Sequence, residues 1–157
     1  QDGLIGEVTK TGAQLISFDF EYSGELNEFI LALSCQAVAL SARSSQTRQV
    51  TEELYRNLKA MAEAQDDEAY FDADYRFHKA FFDYCGNRFL KETYKRYNLI
   101  RFLLMRHAVR TLEHRTSSIR QHRLITEAYE DGDYKLAEKL TEEHYRYGVH
   151  LIDGEPD

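Results

Sequence analysis

The chain reads as an all-α protein, an antiparallel bundle of six or seven helices, and three observations carry that reading. Apolar side chains recur every three or four residues over long stretches, the spacing that gives a helix one apolar face. The single proline, Pro156, lies beyond the last periodic position, so nothing inside the chain forces a helix to break. Gly86-Asn87 and Asp131-Gly132 interrupt the periodicity where helices are expected to turn.

Residues 1–24 are the least legible part. Gly3, Gly6 and Gly12 interrupt weak patterns, and Phe18 and Phe20 flanking Asp19 read as a short extended piece or a docking arm, so this segment is assigned as an N-terminal arm or interdomain remnant. From Glu25, Leu26, Phe29, Ile30, Leu33, Ala37 and Leu40 recur at helical spacing until the polar run 41–46 ends them. A second helix carries Val50, Leu54, Leu58 and Met61. Asp66 or Asp67 is the expected N-cap of a third, with Glu68 in the first turn where the helix dipole favours an acid. A long fourth helix runs from about Arg88 to Thr111, with Leu90, Tyr94, Tyr97, Arg101, Leu104 and Ala108 along one side. The fifth is expected to start at Thr116 or Ser117 and to stop at Asp131-Gly132, where Gly132 suits the left-handed position past a helix end. Asp133 then caps a sixth helix that reaches about Leu151. Short connections between such helices make neighbours antiparallel, and the helical domain is taken as residues 25–153.

A length of 157 residues suits one domain with a substantial core. At 43% apolar and 30% charged residues the composition is globular, and no apolar run approaches the ~20 residues needed to span a bilayer. No membrane association is expected. Acidic residues outnumber basic ones 27 to 20, for a net charge of -7, so the surface repels a phosphate backbone and this domain alone is not expected to bind nucleic acid. Cys35 and Cys85 lack metal-ligand spacing and read as buried free thiols, which fits the reducing cytoplasm. The chain opens on Gln1 with no secretory leader, so a piece of a longer cytoplasmic protein is expected.

Four polar residues fall where the helical period calls for apolar ones. The inward stripes read Phe71, Asp74, His78, Phe81, Cys85; then Ile119, His122, Ile125, Tyr129; then Ala137, Leu140, His144, Tyr147, Leu151. Burying a carboxylate and three imidazoles without partners costs several kcal/mol, ~2–7 for each unsatisfied group. One divalent cation would satisfy them jointly. Asp74 and His78 stand four apart on one helical face, and imidazole with carboxylate suits zinc, nickel, manganese or iron. By itself the Asp-x-x-x-His pair reads more readily as a surface pair or a hydrogen-bonded core histidine; its recurrence with two further inward histidines brings the metal reading level with that one. Zinc is the ion expected in a preparation.

Arg101, on the inward side of the fourth helix, is placed to meet an effector carboxylate with its planar fork or to pair with a core acid. Tyr97 and Asn98 are candidates for the same cavity, or for simple packing. His107, His114 and His150 are not expected to touch the metal: His114 sits between Glu113 and Arg115, and His150 shares a face with Glu143 and Arg146. A helical mononuclear metalloenzyme is the main rival reading, since a metal with open positions activates water. No histidine has a Glu three residues before it, which argues against a di-iron bundle, and no general base is singled out. A purely structural dimerisation module is a third reading.

Several segments together resemble the FadR-type C-terminal ligand-binding (FCD) domain of GntR-family bacterial transcription regulators. Asp74-Tyr75-Arg76-Phe77-His78 looks like that family's D-x-x-F-H, and Cys85-Gly86-Asn87 like its small-Gly-Asn turn. Gln121-His122-Arg123-Leu124-Ile125, Glu127-Ala128, Gly132-Asp133, Ala137 and His144 are similar to its E-H-x-x-I-x-x-A-I-x-x-G-D-x-x-x-A run ending in a helical His. The resemblance implies an all-helical antiparallel bundle that senses a small organic acid beside a metal, with Asp74, His78, His122 and His144 on the metal-ligand positions. It also implies a homodimer that controls DNA binding by an N-terminal winged helix absent from this chain. Ile30 and Ser34 stand where many members carry an Arg and a Glu, and Gln121 replaces the usual Glu, so unusual effector specificity is expected.

Overall fold

A computed structural model of the chain describes residues 5–9, 12–15, 20–108 and 112–153, with side chains described for 22–102 and 113–148. Six helices follow a short hairpin: β1 Ile5–Thr9, β2 Gly12–Leu15, α1 Phe20–Ser41, α2 Thr47–Glu63, α3 Asp67–Tyr84, α4 Arg88–Ala108, α5 Leu112–Glu130 and α6 Tyr134–Asp153. The strands pair antiparallel, Thr9 opposite Gly12, with the register shifting between Ile5 and Glu7.

The core forms around α3, which packs against α1, α2 and α4, while α1 also packs on α4 and α6, and α2 and α6 both pack on α5. Elements on several sides explain why α3 buries more than one stripe: Tyr70, Phe71, Ala73, Phe77, His78, Ala80, Phe81 and Phe82 are all buried. From α2, Val50, Leu54, Leu58 and Met61 enter the core as their spacing predicts. Asp66 caps α3, its carboxylate accepting from Ala69 N at 2.8 Å, and Asp133 caps α6, accepting from Leu136 N at 3.1 Å. Gly86 and Gly132 take φ of 69° and 77°, the left-handed turn that ends a helix at little steric cost when no Cβ is present.

Three boundaries differ from the sequence expectation. Extended structure is found at 5–9 and 12–15, Phe20 opens α1 five residues ahead of Glu25, and Phe18 and Asp19 lie outside the described residues. Ser23 and Gly24 have low helical propensity and hide that first turn from a periodicity reading, yet Ser23 is buried there. α5 begins at Leu112 instead of Thr116 or Ser117, because Glu113, His114 and Arg115 give no apolar period to mark the turn. Phe29, expected inward, is 42% exposed and meets Tyr97 edge-on with centroids 5.3 Å apart. The side chains of Leu104, His107, Ala108, His150 and Leu151 lie outside the described residues.

On α1, Ile30 is fully buried and Ser34 Oγ bonds Tyr145 Oη at 3.0 Å. Asn27 Nδ2 donates to the Tyr145 carbonyl at 3.1 Å. These contacts tie α1 to the part of α6 that carries His144.

Candidate metal centre and ligand cavity

Asp74 and His78 project from α3 one turn apart, His122 from α5 and His144 from α6. All three imidazoles are buried, and each of the four residues offers one donor atom such that all lie within 4.8 Å of one another. His122 Nε2 is 3.1 Å from His78 Nε2 and 3.5 Å from Asp74 Oδ1, and His78 Nε2 is 3.9 Å from Asp74 Oδ1. Ligands held tetrahedrally at ~2.0–2.1 Å from zinc are roughly 3.3 Å apart, so these edges fit a shared divalent cation.

Electrostatics favour the same chemistry. Burial, with neighbouring His122, His144 and Arg101 adding to it, holds His78 well below the ordinary imidazole range. Burial does likewise for His122, and it lowers His144 to about 3, with Arg101 contributing in both. The rings are therefore neutral near pH 7, the form that donates a lone pair to a cation. Desolvation lifts the Asp74 carboxyl to about 6 against the opposing pull of Arg101.

Neighbours set the orientation of the rings. Gln121 Oε1 lies 2.8 Å from His144 Nδ1, and an amide oxygen only accepts, so Nδ1 carries the proton and Nε2 is left to coordinate. Ser118 Oγ sits 3.4 Å from His122 Nδ1, and the Phe77 ring packs on His122 with centroids 4.4 Å apart.

A cavity of about 40 Å³ opens beside this centre, its wall including Asp74, His144, Asn98, Arg101, His114 and Ser118. Arg101 is buried; its Nε donates to Asn27 Oδ1 at 3.3 Å, and its guanidinium lies 4.6 Å from the Tyr145 ring centroid. Among the described residues it forms no ion pair with a carboxylate. Phe71, Tyr75, Asn98 and Phe102 line both this cavity and an outer groove between α3 and α4, so they form the partition between the two.

Of the three candidates on α4, Asn98 and Arg101 line the cavity and Tyr97 does not. The inward stripe of α4 runs Tyr94, Asn98, Arg101, which leaves Tyr97 on the flank against Phe29. His114, not expected at the metal, is outside the four-donor cluster but lines the cavity, as do Ser118 and Tyr70. A signal for them was present: His114, Ser118 and His122 stand four apart on one face of α5, and Tyr70 is one turn before Asp74. Asn27 had no comparable signal, because its partner lies 74 residues away.

The fold and this centre define an all-helical domain in which four clustered donors, three of them buried, lie beside a cavity of about 40 Å³ that Asp74 and His144 line. Residues 25–147 match the FCD domain, and the chain belongs to that family. No curated protein matches the chain. Solved structures share its fold. The Listeria monocytogenes protein Lar, described as controlling expression of the agr system, is 20% identical with a TM-score of 0.79, covering 99% of this chain and 75% of Lar. E. coli McbR/YncC is 20% identical with a TM-score of 0.80, covering 94% and 76%. The Zn2+-bound FCD domain of TM0439, a putative transcriptional regulator, is 22% identical with a TM-score of 0.65, covering 88% and 97%.

Proposed function

We propose that this FCD domain is the effector-sensing and dimerisation part of a cytoplasmic transcription regulator. Asp74, His78, His122 and His144 would hold one divalent cation, zinc being the ion most readily captured and nickel, manganese or iron the alternatives. Bound there, a dication supplies Lewis acidity and a positive charge that one carboxylate ligand only partly neutralises. The observation that carries the reading is Arg101: a buried guanidinium without a carboxylate partner among the described residues, lining the same cavity as Asp74 and His144. A small organic anion fits between these charges, where the low dielectric strengthens its attraction. Arg101 would orient its carboxylate, Asn27 and Tyr145 would hold Arg101, and Asn98 would contact the rest of the molecule.

Binding would act on an N-terminal winged helix, the element that contacts DNA, through a homodimer of such domains; the acidic balance of this chain fits a domain that does not itself bind DNA. Membership of the FCD family supports a sensor over a metalloenzyme. Titration calorimetry of small carboxylates against zinc-loaded and chelator-treated protein tests the reading. Binding of acids, but not of their neutral amides, to the zinc-loaded form alone is expected. Equal binding of acid and amide in both forms overturns it.

A further inference from the structure

The cavity contains a polar atom outside the four-donor cluster that an ionised carboxylate does not satisfy. Asn98 is 4% exposed and lines the cavity, yet its Oδ1 is buried with no hydrogen-bond partner among the described residues. A buried acceptor left unmet bears its full desolvation penalty, so a ligand that supplies a donor gains from meeting it. An ionised carboxylate has only acceptors to offer. Arg101, one turn further along the same helix, is the matching donor for that carboxylate. α4 therefore presents an acceptor and a cationic donor three residues apart, a spacing of ~5–6 Å between Cβ atoms.

That pairing is complementary to a molecule carrying a carboxylate and a hydrogen-bond donor close together. The donor is better neutral than charged, because Arg101 repels an ammonium group in so small a space. Size is limited as well: the cavity volume of about 40 Å³ compares with ~10–15 Å³ for one water measured the same way, which leaves room for a few heavy atoms. Resting on the reading that a cation and a small acid share this cavity, we infer that the effector is a short hydroxy acid. Its hydroxyl, on the carbon next to the carboxylate, donates to Asn98 Oδ1 while the carboxylate meets Arg101.

The test compares 2-hydroxypropanoate, propanoate and 2-fluoropropanoate by calorimetry on the zinc-loaded domain, in the native chain, Asn98→Leu and Asn98→Asp. A hydroxy acid also chelates a cation better than a plain acid, so the decisive quantity is how its preference changes with residue 98. In the native chain the hydroxy acid is expected to bind best, with the fluoro acid, which has no donor, behaving like propanoate. Asn98→Leu should lose about tenfold of the preference, the equivalent of one hydrogen bond, read as the ratio of hydroxy-acid to propanoate affinity within the same variant. Asn98→Asp keeps an acceptor and should retain the preference, although both acids bind more weakly against the added charge. An undiminished preference in Asn98→Leu, or a fluoro acid equal to the hydroxy acid in the native chain, overturns the inference and leaves the metal-and-acid reading standing. Failure of every acid to bind the zinc-loaded native chain overturns both.

Discussion

Gln121 on α5 accepts the Nδ1 proton of His144 on α6 at 2.8 Å, and this one contact fixes which ring nitrogen of His144 is available for a cation. Residues that orient a ligand in this way typically tune metal affinity 10–100-fold. Gln121→Leu is therefore expected to weaken zinc binding by at least about tenfold in a chelator competition, with the helical circular dichroism unchanged. Gln121→Glu should bind zinc as well as the native chain or better, since a carboxylate accepts the same proton and raises the basicity of the ring. Equal affinities in the native and Leu proteins would show that the contact merely packs.

Metal uptake should respond to one proton, that of Asp74. Its carboxyl is raised to about 6, while burial keeps all three histidines neutral well below 6.5. Only the carboxylate binds a cation, so affinity is expected to be level near neutrality and to fall by about tenfold per pH unit below 6, a slope of one. Solvent-exposed imidazoles would give a steeper fall starting near their ordinary pKa. For the metal-free fold the signs differ by group. The depressed histidines bind more protons when unfolded, so their contribution to stability is lost as pH falls below 6.5. Asp74, raised, holds its extra proton in the fold between 3.8 and about 6 and opposes this loss there. Three groups against one make acid net destabilising, which denaturant melts of chelated protein across this range would check.

The parts of this architecture that were legible in the sequence share one property: they are polar residues in phase with an apolar stripe. Asp74, His78, His122 and His144 stood out because each interrupts a run such as Phe71, Phe81 and Cys85 whose burial the period announces, and the structure brings the four together. Caps at Asp66 and Asp133 were legible for a similar reason, a single residue type at a helix start. What stayed hidden depends on distant partners or on weak local signal. The hairpin at 5–9 and 12–15 is glycine-broken and lacks a clean alternation; Asn27 gains its meaning only from Arg101 and Tyr145.

Occupancy of the metal centre should register as thermal stability. A ligand at about 100 times its dissociation constant stabilises a fold by ~2.7 kcal/mol. For a chain of this length each kcal/mol moves Tm by ~2–4 °C, so zinc should raise the melting point of chelator-treated protein by roughly 5–11 °C. In His122→Leu the shift should vanish, because the variant lacks a donor at the centre of the cluster and packs its apolar replacement against Phe77. The same melting temperature with chelator and with zinc would sink the idea of a cation at this site.

Arg101 should prove a liability to the empty domain and an asset to the liganded one. The residue is 7% exposed, and its guanidinium is held by a 3.3 Å hydrogen bond to Asn27 and by the Tyr145 ring, with no carboxylate in ion-pair contact among the described residues. A buried charge so thinly compensated is costly, and exchanging such charges for apolar groups of like volume is often neutral or stabilising. Arg101→Met, which keeps a flexible stem to fill the space, should therefore melt at the native temperature or above it when no metal or acid is present. Acid binding should move the other way, weakening about a hundredfold, the scale of a lost charge-assisted contact to a carboxylate. Removing the cation also strips Asp74 of the neighbour that lowers its pKa, so the pH midpoint of zinc uptake should rise above about 6. Calorimetry with a carboxylate, a thermal melt of the chelated protein and the pH profile of zinc binding each read one of these effects. A strongly destabilised Arg101→Met that binds carboxylates as the native chain does would assign Arg101 to the scaffold and remove the anion from the proposed mechanism.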